Sequence, residues 1–215
     1  MTQPMKRRRF LTRLATGAAT VAGALAGGRL LSGPNMADAV PCVRPPGALP
    51  EKDFLSACIR CGRCADACPN RCISAFTDEA AKTLAMRPGR HQRNTPVIFP
   101  RQQACMLCAG VSGDTLLCTE ACPTGALQLT GKNAVAIQEQ VSMGTAVVDE
   151  NICHSFNGAS CGVCVRACPL EGEALRAGMW EKPIVDPNVC IGCGLCERAC
   201  VRYPQAIRVI PRAIA

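Results

Sequence analysis

Aromatic side chains are scarce in this chain, which has one Trp, one Tyr and five Phe among 215 residues. A chain of this length normally forms its core from large apolar side chains, so another group must fill and staple the interior. The sequence also lacks a nucleotide-binding loop, a flavin site and a nucleophile–base pair with informative spacing. These absences point away from a catalytic site of its own.

Long hydrophobic runs are missing too, because no segment after residue 39 is apolar enough to cross a bilayer. An evenly spread positive charge is also absent. The formal net charge is +8, but the first 39 residues hold six of the 24 basic residues against one acidic residue. The remaining 18 basic and 15 acidic residues leave +3, which is poor evidence for nucleic acid as a partner.

Cysteine, in contrast, is abundant, with 18 residues. Sixteen of them fall into four repeats of one pattern, in which three cysteines are followed by a fourth after three residues, and then by proline in three repeats. The motifs occupy residues 58–68, 105–122, 153–168 and 190–200. Their members are Cys58, Cys61, Cys64 and Cys68; Cys105, Cys108, Cys118 and Cys122; Cys153, Cys161, Cys164 and Cys168; and Cys190, Cys193, Cys196 and Cys200.

This spacing is typical of ligands to [4Fe–4S] clusters. Cysteines two residues apart in a loop can face one cubane, while the fourth ligates the neighbouring cluster. Zinc sites favour paired knuckles and often use histidine, of which the chain has two. Disulfides do not readily join cysteines so close in a tight loop. The repetition therefore predicts four [4Fe–4S] clusters held by all 16 cysteines.

The flanking sequence predicts a small α+β fold dominated by its clusters, with short strands and short helices. The stretches AVVDENIC and PIVDPNVC are typical of strands that enter motifs three and four. TGALQLT and PQAIRVI are typical of strands that leave motifs two and four. EGEALRAGMWEKP is amphipathic enough for a short helix. Because two such units pair to bury two clusters, four motifs in residues 58–215 imply two double-cluster, ferredoxin-like modules.

The first 39 residues have the layout of an export signal, and a Pro-rich lead over residues 40–57 follows it. A basic start is followed by the apolar run 14–28, which is short for a membrane span. The stretch KRRRFL resembles a twin-arginine signal, a route that carries proteins already folded around a cofactor. Cleavage after the Ala-x-Ala site that ends at Ala39 is expected, and an uncleaved single-helix anchor is the alternative.

Several quoted stretches together resemble the NapG/MauM family of ferredoxin-type proteins, associated with periplasmic nitrate reductase and with methylamine utilisation. These are RPPGAL before ACIRCGRCADACP, the widened CMLC…CTEACPTGAL, MGTAVVDENIC before FNGASCGVCVRACP, and CIGCGLCERACV. The likeness runs from about residue 44 to residue 210. Because the chain ends 15 residues after Cys200, we expect the methylamine type or an orphan branch rather than the nitrate type.

The resemblance implies single-electron transfer in the periplasm. The partners expected from it are a membrane-bound quinol-oxidising iron–sulfur protein and a periplasmic cytochrome, reductase or dehydrogenase, with peripheral association to the membrane. Two alternatives stay open. The protein could be an accessory factor for maturation of a dehydrogenase such as methylamine dehydrogenase, or a fixed electron-transfer subunit of a larger oxidoreductase.

The motifs could pair in two ways. Nested pairing, first with fourth and second with third, is preferred because four-cluster subunits of related oxidoreductases are built so. Consecutive pairing is the alternative and exchanges only the fourth cysteines. Nested pairing predicts the ligand sets Cys58, Cys61, Cys64 and Cys200; Cys190, Cys193, Cys196 and Cys68; Cys105, Cys108, Cys118 and Cys168; and Cys153, Cys161, Cys164 and Cys122.

A few residues fall outside the pattern. Cys72 is expected to be a buried bystander, and Cys42 a free thiol unless the two form a disulfide after export. His154, beside a motif cysteine, is expected to lie outside the ligand set. Trp180 is expected to pack. The arginine-rich segment 86–101 is either a docking loop for an acidic partner or lipid, or a solvated insertion, which is slightly favoured.

Overall fold

The computed structural model describes residues 39–82 and 86–211. Residues 1–38 of the expected signal peptide lie outside the described residues. Within the described ranges, no helix combines the length and the apolar character needed to cross a membrane.

The fold is α+β, as predicted, and its elements are short. The helices are α1 (Glu51–Ala57), α2 (Arg63–Asp66), α3 (Asp78–Lys82), α4 (Leu117–Glu120), α5 (Ala134–Gln140), α6 (Val163–Arg166) and α7 (Leu195–Ala199), with 3₁₀ turns at His154–Phe156 and Met179–Glu181. The strands are β1 (Ile73–Ala75), β2 (Pro96–Ile98), β3 (Gly144–Val148), β4 (Leu175–Ala177), β5 (Pro183–Val185) and β6 (Ile207–Pro211).

The described strands pair antiparallel in twos: β1 with β2, β3 with β6, and β4 with β5. The longest pair aligns Gly144 with Pro211 and Val148 with Ile207. The predictions of strands entering motifs three and four and leaving motif four are therefore confirmed. Pairing of β3 with β6 brings the entry to motif three against the exit from motif four, so these two motifs form one unit.

The strand predicted after motif two is wrong. Residues 124–130 make one isolated bridge, between Leu127 and Ala48. Here the chain lies along the Pro-rich lead, where Gln128 donates to the carbonyl of Gly47 (2.7 Å) and Leu49 donates to that of Ala126 (3.1 Å). The lead contains the consecutive prolines Pro45 and Pro46, which have no N–H to extend the ladder.

The helix predicted over residues 171–183 is also wrong. This segment forms β4 and a 3₁₀ turn, because β4 pairs with β5 on the way to motif four. The turn holds Trp180 in the left-handed region with φ of 62°, and its side chain is 71% exposed. The expectation that Trp180 packs is therefore wrong.

The hydrophobic core is small and contains thiols. Its largest part joins motifs one and two with Phe54, Ile98 and Leu116, and includes several of their cysteines. A second cluster around motifs three and four has five buried members, one of them Cys196. Thiols therefore occupy places where aromatic side chains stand in ordinary cores.

A buried ion pair within the Pro-rich lead also contacts the first module, which is the part of the chain that contains motifs one and two. The Arg44 guanidinium donates to both carboxylate oxygens of Glu51, with the Nε contact at 2.8 Å, and its side chain is 8% exposed. It also donates to Thr95 Oγ1 at 2.8 Å and lies 4.6 Å from the centre of the Phe54 ring. Gln92 donates to the same carboxylate at 2.8 Å.

Because these partners surround Arg44, we expect Glu51→Ala to destabilise the protein by about 3–5 kcal/mol, since it leaves a buried guanidinium without its carboxylate. The apparent Tm of the cluster-loaded protein should fall by roughly 6–20 °C. Asp53→Ala is the matched control: it removes an exposed carboxylate from the same first turn of α1. Equal effects of the two variants in anaerobic thermal unfolding would contradict this assignment.

The arginine-rich segment 86–101 is not a solvated insertion throughout, and its use as a docking loop stays a prediction. It contains β2 and the buried Gln92 and Thr95. Arg101 reaches from the first module to the end of α7, where it donates to the carbonyls of Cys200 (2.8 Å) and Glu197 (3.2 Å). Arg93 pairs with Asp78 at 3.2 Å.

The two modules also meet closely at motif four. A Cβ at Gly194, which has φ of 83°, would lie 2.5 Å from Cβ of Pro100 in the first module. Within the second module, a Cβ at Gly192 would collide with the backbone of Gly144. Glycine at both positions lets the loop of motif four lie directly against its neighbours.

Candidate iron–sulfur sites

Four cavities are ringed by motif cysteines, four to each cavity, and each set is given a letter here. Quartet A is Cys58, Cys61, Cys64 and Cys122; quartet B is Cys105, Cys108, Cys118 and Cys68; quartet C is Cys190, Cys193, Cys196 and Cys168; quartet D is Cys153, Cys161, Cys164 and Cys200. Every motif cysteine lines one cavity.

This grouping corrects the preferred pairing of the motifs. Each quartet combines three cysteines of one motif with the fourth of its neighbour along the chain, so the first motif pairs with the second and the third with the fourth. Nested pairing is wrong because α2 packs against α4, and α6 packs against α7. These helices carry the third cysteine of each motif and lead into the fourth, so the fourth reaches the cavity of the adjacent helix.

Left-handed glycines set the path of the chain around the cysteines. Gly62 has φ of 78° and immediately precedes α2. The turn directs the loop cysteines Cys58 and Cys61 and the helical Cys64 toward one cavity. An L residue with a side chain would be strained in this conformation.

In each quartet, backbone amides point at one or more of the sulfurs. The N–H groups of Leu127, Leu107, Ala146 and Ala206 donate to the Sγ atoms of Cys122, Cys105, Cys190 and Cys200, at 3.4, 3.4, 3.4 and 3.3 Å. Such N–H···S bonds stabilise thiolates, which is the form of cysteine that ligates iron.

The raised pKa values of the buried thiols also fit a site that holds a cationic centre. Burial raises the pKa of the Cys64 thiol to about 11, with the charge of Cys58 adding to it. Burial raises the pKa of the Cys193 thiol to about 12. Four thiolates packed together would repel one another, so a positively charged metal core among them is needed to keep them ionised. The cysteine quartets thus fit [4Fe–4S] clusters.

The fourth cysteines of motifs one and two have lowered pKa values, whereas the third cysteines of the same motifs have raised ones. Contact with the Cys72 thiol lowers the pKa of Cys68 to about 5, against burial, and nearby backbone amides add to the effect. Burial opposes ionisation of Cys122, but the N–H groups of Leu127 and Thr124 bring its pKa below the ordinary value. Both positions are therefore prepared to carry a negative charge.

The quartets adjoin in the order A, B, C, D. Besides burial, the charge of Cys64 in quartet A contributes to the raised pKa of Cys118 in quartet B. The backbone N–H of Cys105 in quartet B donates to the carbonyl of Cys193 in quartet C at 3.0 Å. Cys164 of quartet D similarly contributes to the raised pKa of Cys196 in quartet C.

The two remaining cysteines occupy different environments, and all 18 are free thiols. Cys42 lies beside Gln92, whose Nε2 is 3.9 Å from its sulfur, and lines none of the four cavities. Cys72 does line the cavity of quartet B, with its sulfur 3.5 Å from that of Cys68. The alternative of a Cys42–Cys72 disulfide is therefore not realised, and the description of Cys72 as a bystander missed this contact.

His154 lies in the 3₁₀ turn after Cys153 and lines the cavity of quartet D. The four cysteines of that quartet already surround the cavity. His154 therefore lies beside the cavity, and its place outside the ligand set stays a prediction.

Comparisons with known proteins agree with this geometry. The family model of a 4Fe–4S dicluster domain matches residues 57–126, which contain motifs one and two together. Two models of 4Fe–4S binding domains match residues 151–178 and 183–200, which contain motifs three and four.

Relatives cover most of the chain. The methylamine utilization ferredoxin-type protein MauM of Methylobacillus flagellatus is 36% identical over 90% of this chain and 78% of its own length. MauM of Paracoccus denitrificans is 38% identical over 79% and 71%. The ferredoxin-type protein NapG of Escherichia coli is 35% identical over 80% and 72%. The chain therefore belongs to the NapG/MauM family of ferredoxin-type 4Fe–4S electron-transfer proteins.

Proposed function

We propose that this protein holds four [4Fe–4S] clusters, one in each quartet, and transfers single electrons between a membrane quinol-oxidising partner and a periplasmic redox enzyme or cytochrome. The observation that carries the proposal is the set of four adjoining cavities, each lined by four motif cysteines. No cysteine of the four motifs is left over.

The chain's own residues perform three tasks in this proposal. The thiolates hold each cluster, and the backbone amides that point at their sulfurs stabilise the negative charge. Burial of thiols such as Cys193, which is 7% exposed, limits the access of water. When bound, each cluster supplies a one-electron redox centre whose potential depends on these surroundings.

The outer quartets are the places where partners would approach. Cys61 of quartet A is exposed, and the neighbouring Ile59 is 63% exposed. At quartet D, Val201 lines the edge of the cavity and is 63% exposed. Quartets B and C lie between them. A chain with one accessible centre at each end suits transfer between two partners better than storage of charge.

The location and partners in this proposal derive from the sequence and the family. The twin-arginine-like stretch KRRRFL favours export of the folded, cluster-loaded protein to the periplasm. Because the described residues contain no helix able to cross a membrane, we expect a membrane-bound iron–sulfur partner to oxidise quinol. The second partner would be a periplasmic cytochrome, reductase or dehydrogenase.

A second function is favoured by the names of some of the relatives described above. Several are described as methylamine utilization proteins, so this chain could instead supply electrons for maturation of a periplasmic dehydrogenase. The cysteine quartets would serve both roles equally. Only the identity of the protein that accepts the electrons distinguishes the two functions.

Full-length protein purified anaerobically tests the cluster assignment. We expect about 16 iron and 16 sulfide per chain and EPR signals of reduced [4Fe–4S] centres after dithionite treatment, because four quartets each hold one cubane. An iron content near eight, or no signal on reduction, would contradict it. The same protein, tagged and recovered from membranes without oxygen, should retain a membrane iron–sulfur protein; retention of a dehydrogenase precursor alone would favour the maturation role.

A further inference from the structure

Quartet B has a feature that the other quartets lack, a fifth cysteine in its cavity. Cys72 is 4% exposed, and its sulfur lies 3.5 Å from that of Cys68. Cys105, another member of the quartet, lines the same cavity, and the nearby Cys72 thiol lowers the pKa of Cys105. A [4Fe–4S] cluster takes four cysteine ligands, so one thiol in this cavity is in excess.

The internal repeat shows which thiol is in excess. Backbone amides two, four and five residues after Cys68, those of Asn70, Cys72 and Ile73, donate toward its sulfur. Amides at the same offsets from Cys122, those of Thr124, Ala126 and Leu127, donate toward that sulfur. Cys68 thus matches the fourth cysteine of motif two, and Cys72 matches Ala126.

Ala126 occupies the corresponding place in the sister cavity. It is 1% exposed and lines the cavity of quartet A beside Cys122. The pseudo-symmetric positions therefore differ by one thiol group, present at quartet B and absent at quartet A. The chain itself supplies the natural comparison for the effect of that group.

We propose that Cys72 is a positioning residue whose S–H donates a hydrogen bond to the ligand sulfurs of quartet B and thereby raises the reduction potential of the cluster held there. The inference rests on the proposed loading of quartet B. It concerns the hydrogen bond alone and needs no additional ligand, oxidant or reductant.

The direction follows from charge. Cys72 stays protonated because it is buried beside two ligand sulfurs, where a third thiolate would add a like charge. Its S–H then stabilises negative charge on those sulfurs, and that charge increases when the cluster gains an electron. The reduced state is favoured more than the oxidised state, so the potential rises. The thiol is a weak donor, so the effect should be moderate.

EPR-monitored redox titration of the full-length, cluster-loaded protein tests the proposal. We expect Cys72→Ala to keep about 16 iron atoms and to shift one of the midpoint potentials downward. The equilibrium constant for its reduction should fall up to roughly tenfold, which corresponds to about 59 mV for one electron. Cys72→Ser keeps a donor and should keep the potential closer to that of the unchanged protein.

The reciprocal variant Ala126→Cys adds a thiol at the matching position and should shift a different midpoint potential upward. Unchanged potentials in both Cys72→Ala and Ala126→Cys would overturn the proposal. Loss of about four iron atoms from Cys72→Ala would also overturn it, since Cys72 would then be a ligand. If the unchanged protein itself holds no iron, the proposed function fails instead. If Cys72→Ala does not fold, Ala126→Cys still decides.

Discussion

Cys122→Ala is expected to remove the same cluster as Cys61→Ala, because both cysteines line the cavity of quartet A. Each single variant should lose about four of about 16 iron atoms, and the double variant should lose the same four. Combining Cys122→Ala with Cys164→Ala should remove about eight, since Cys164 belongs to quartet D. Iron analysis and quantified EPR spectra of anaerobically purified protein measure this.

Nested pairing makes the opposite forecast, because it places Cys122 and Cys164 around one cluster. The Cys122/Cys164 double variant would then lose four iron atoms, and the Cys61/Cys122 double variant eight. The two pairings still differ if loss of one cluster also empties the other site of its module. Under consecutive pairing, the Cys61/Cys122 double variant then loses no more iron than either single variant, because both cysteines lie in one module. Cys42→Ala is the control that should keep all the iron, since Cys42 lines none of the four cavities.

The spacing identifies which cysteines line the cavities, but it does not show which cavity the fourth cysteine of each motif reaches. Motif spacing selects the 16 cysteines because a loop with two residues between thiols can surround one cubane. Cys68 and Cys200 have similar local surroundings, and either could reach a neighbour. The choice is made by packing of α2 on α4 and of α6 on α7, which are contacts between residues distant in sequence.

Strand prediction succeeded where β-branched residues alternate or follow one another. It failed where the neighbouring chain segment is rich in proline. Val147 and Val148 lie in β3 before motif three, and Ile207 and Val209 lie in β6 after motif four. In this ladder Val148 is opposite Ile207. The stretch around Leu127 has a sequence that suits a strand, but it lies beside the Pro-rich lead, whose prolines cannot complete a ladder of hydrogen bonds. Tertiary context of this kind is invisible to local propensity.

The role of Cys72 could have been suspected from the repeat itself. Counting from the fourth cysteine of motifs one and two places Cys72 opposite Ala126, a position where the other motif has no polar atom. Sequence spacing alone does not show that this position faces the cavity. The structure adds that information through the sulfur–sulfur contact with Cys68.

The fold has little to hold it together other than the cysteine sites. Helices of four to seven residues and strands of three to five are too short to be stable alone. In the second module the hydrophobic cluster has five buried members, one of them the motif cysteine Cys196. The first module also has the Arg44–Glu51 pair, and it has Phe76 packed 6.1 Å from Phe99.

Oxidative removal of the clusters with a chelator should therefore unfold the chain, because ligation energy acts here as folding energy. The loss of stability should be on the order of 10 kcal/mol, which is comparable with the whole net stability of a typical domain. Far-UV circular dichroism should show loss of structure, and hydrogen exchange should show β3 and β6 unprotected while Phe54 and its neighbours keep partial protection. As a control, protein exposed to chelator without oxidant should stay folded. Addition of iron and sulfide to the treated sample should restore its folded structure. A cooperative thermal transition in iron-free protein would show that the apolar core suffices, contrary to what its few buried side chains imply.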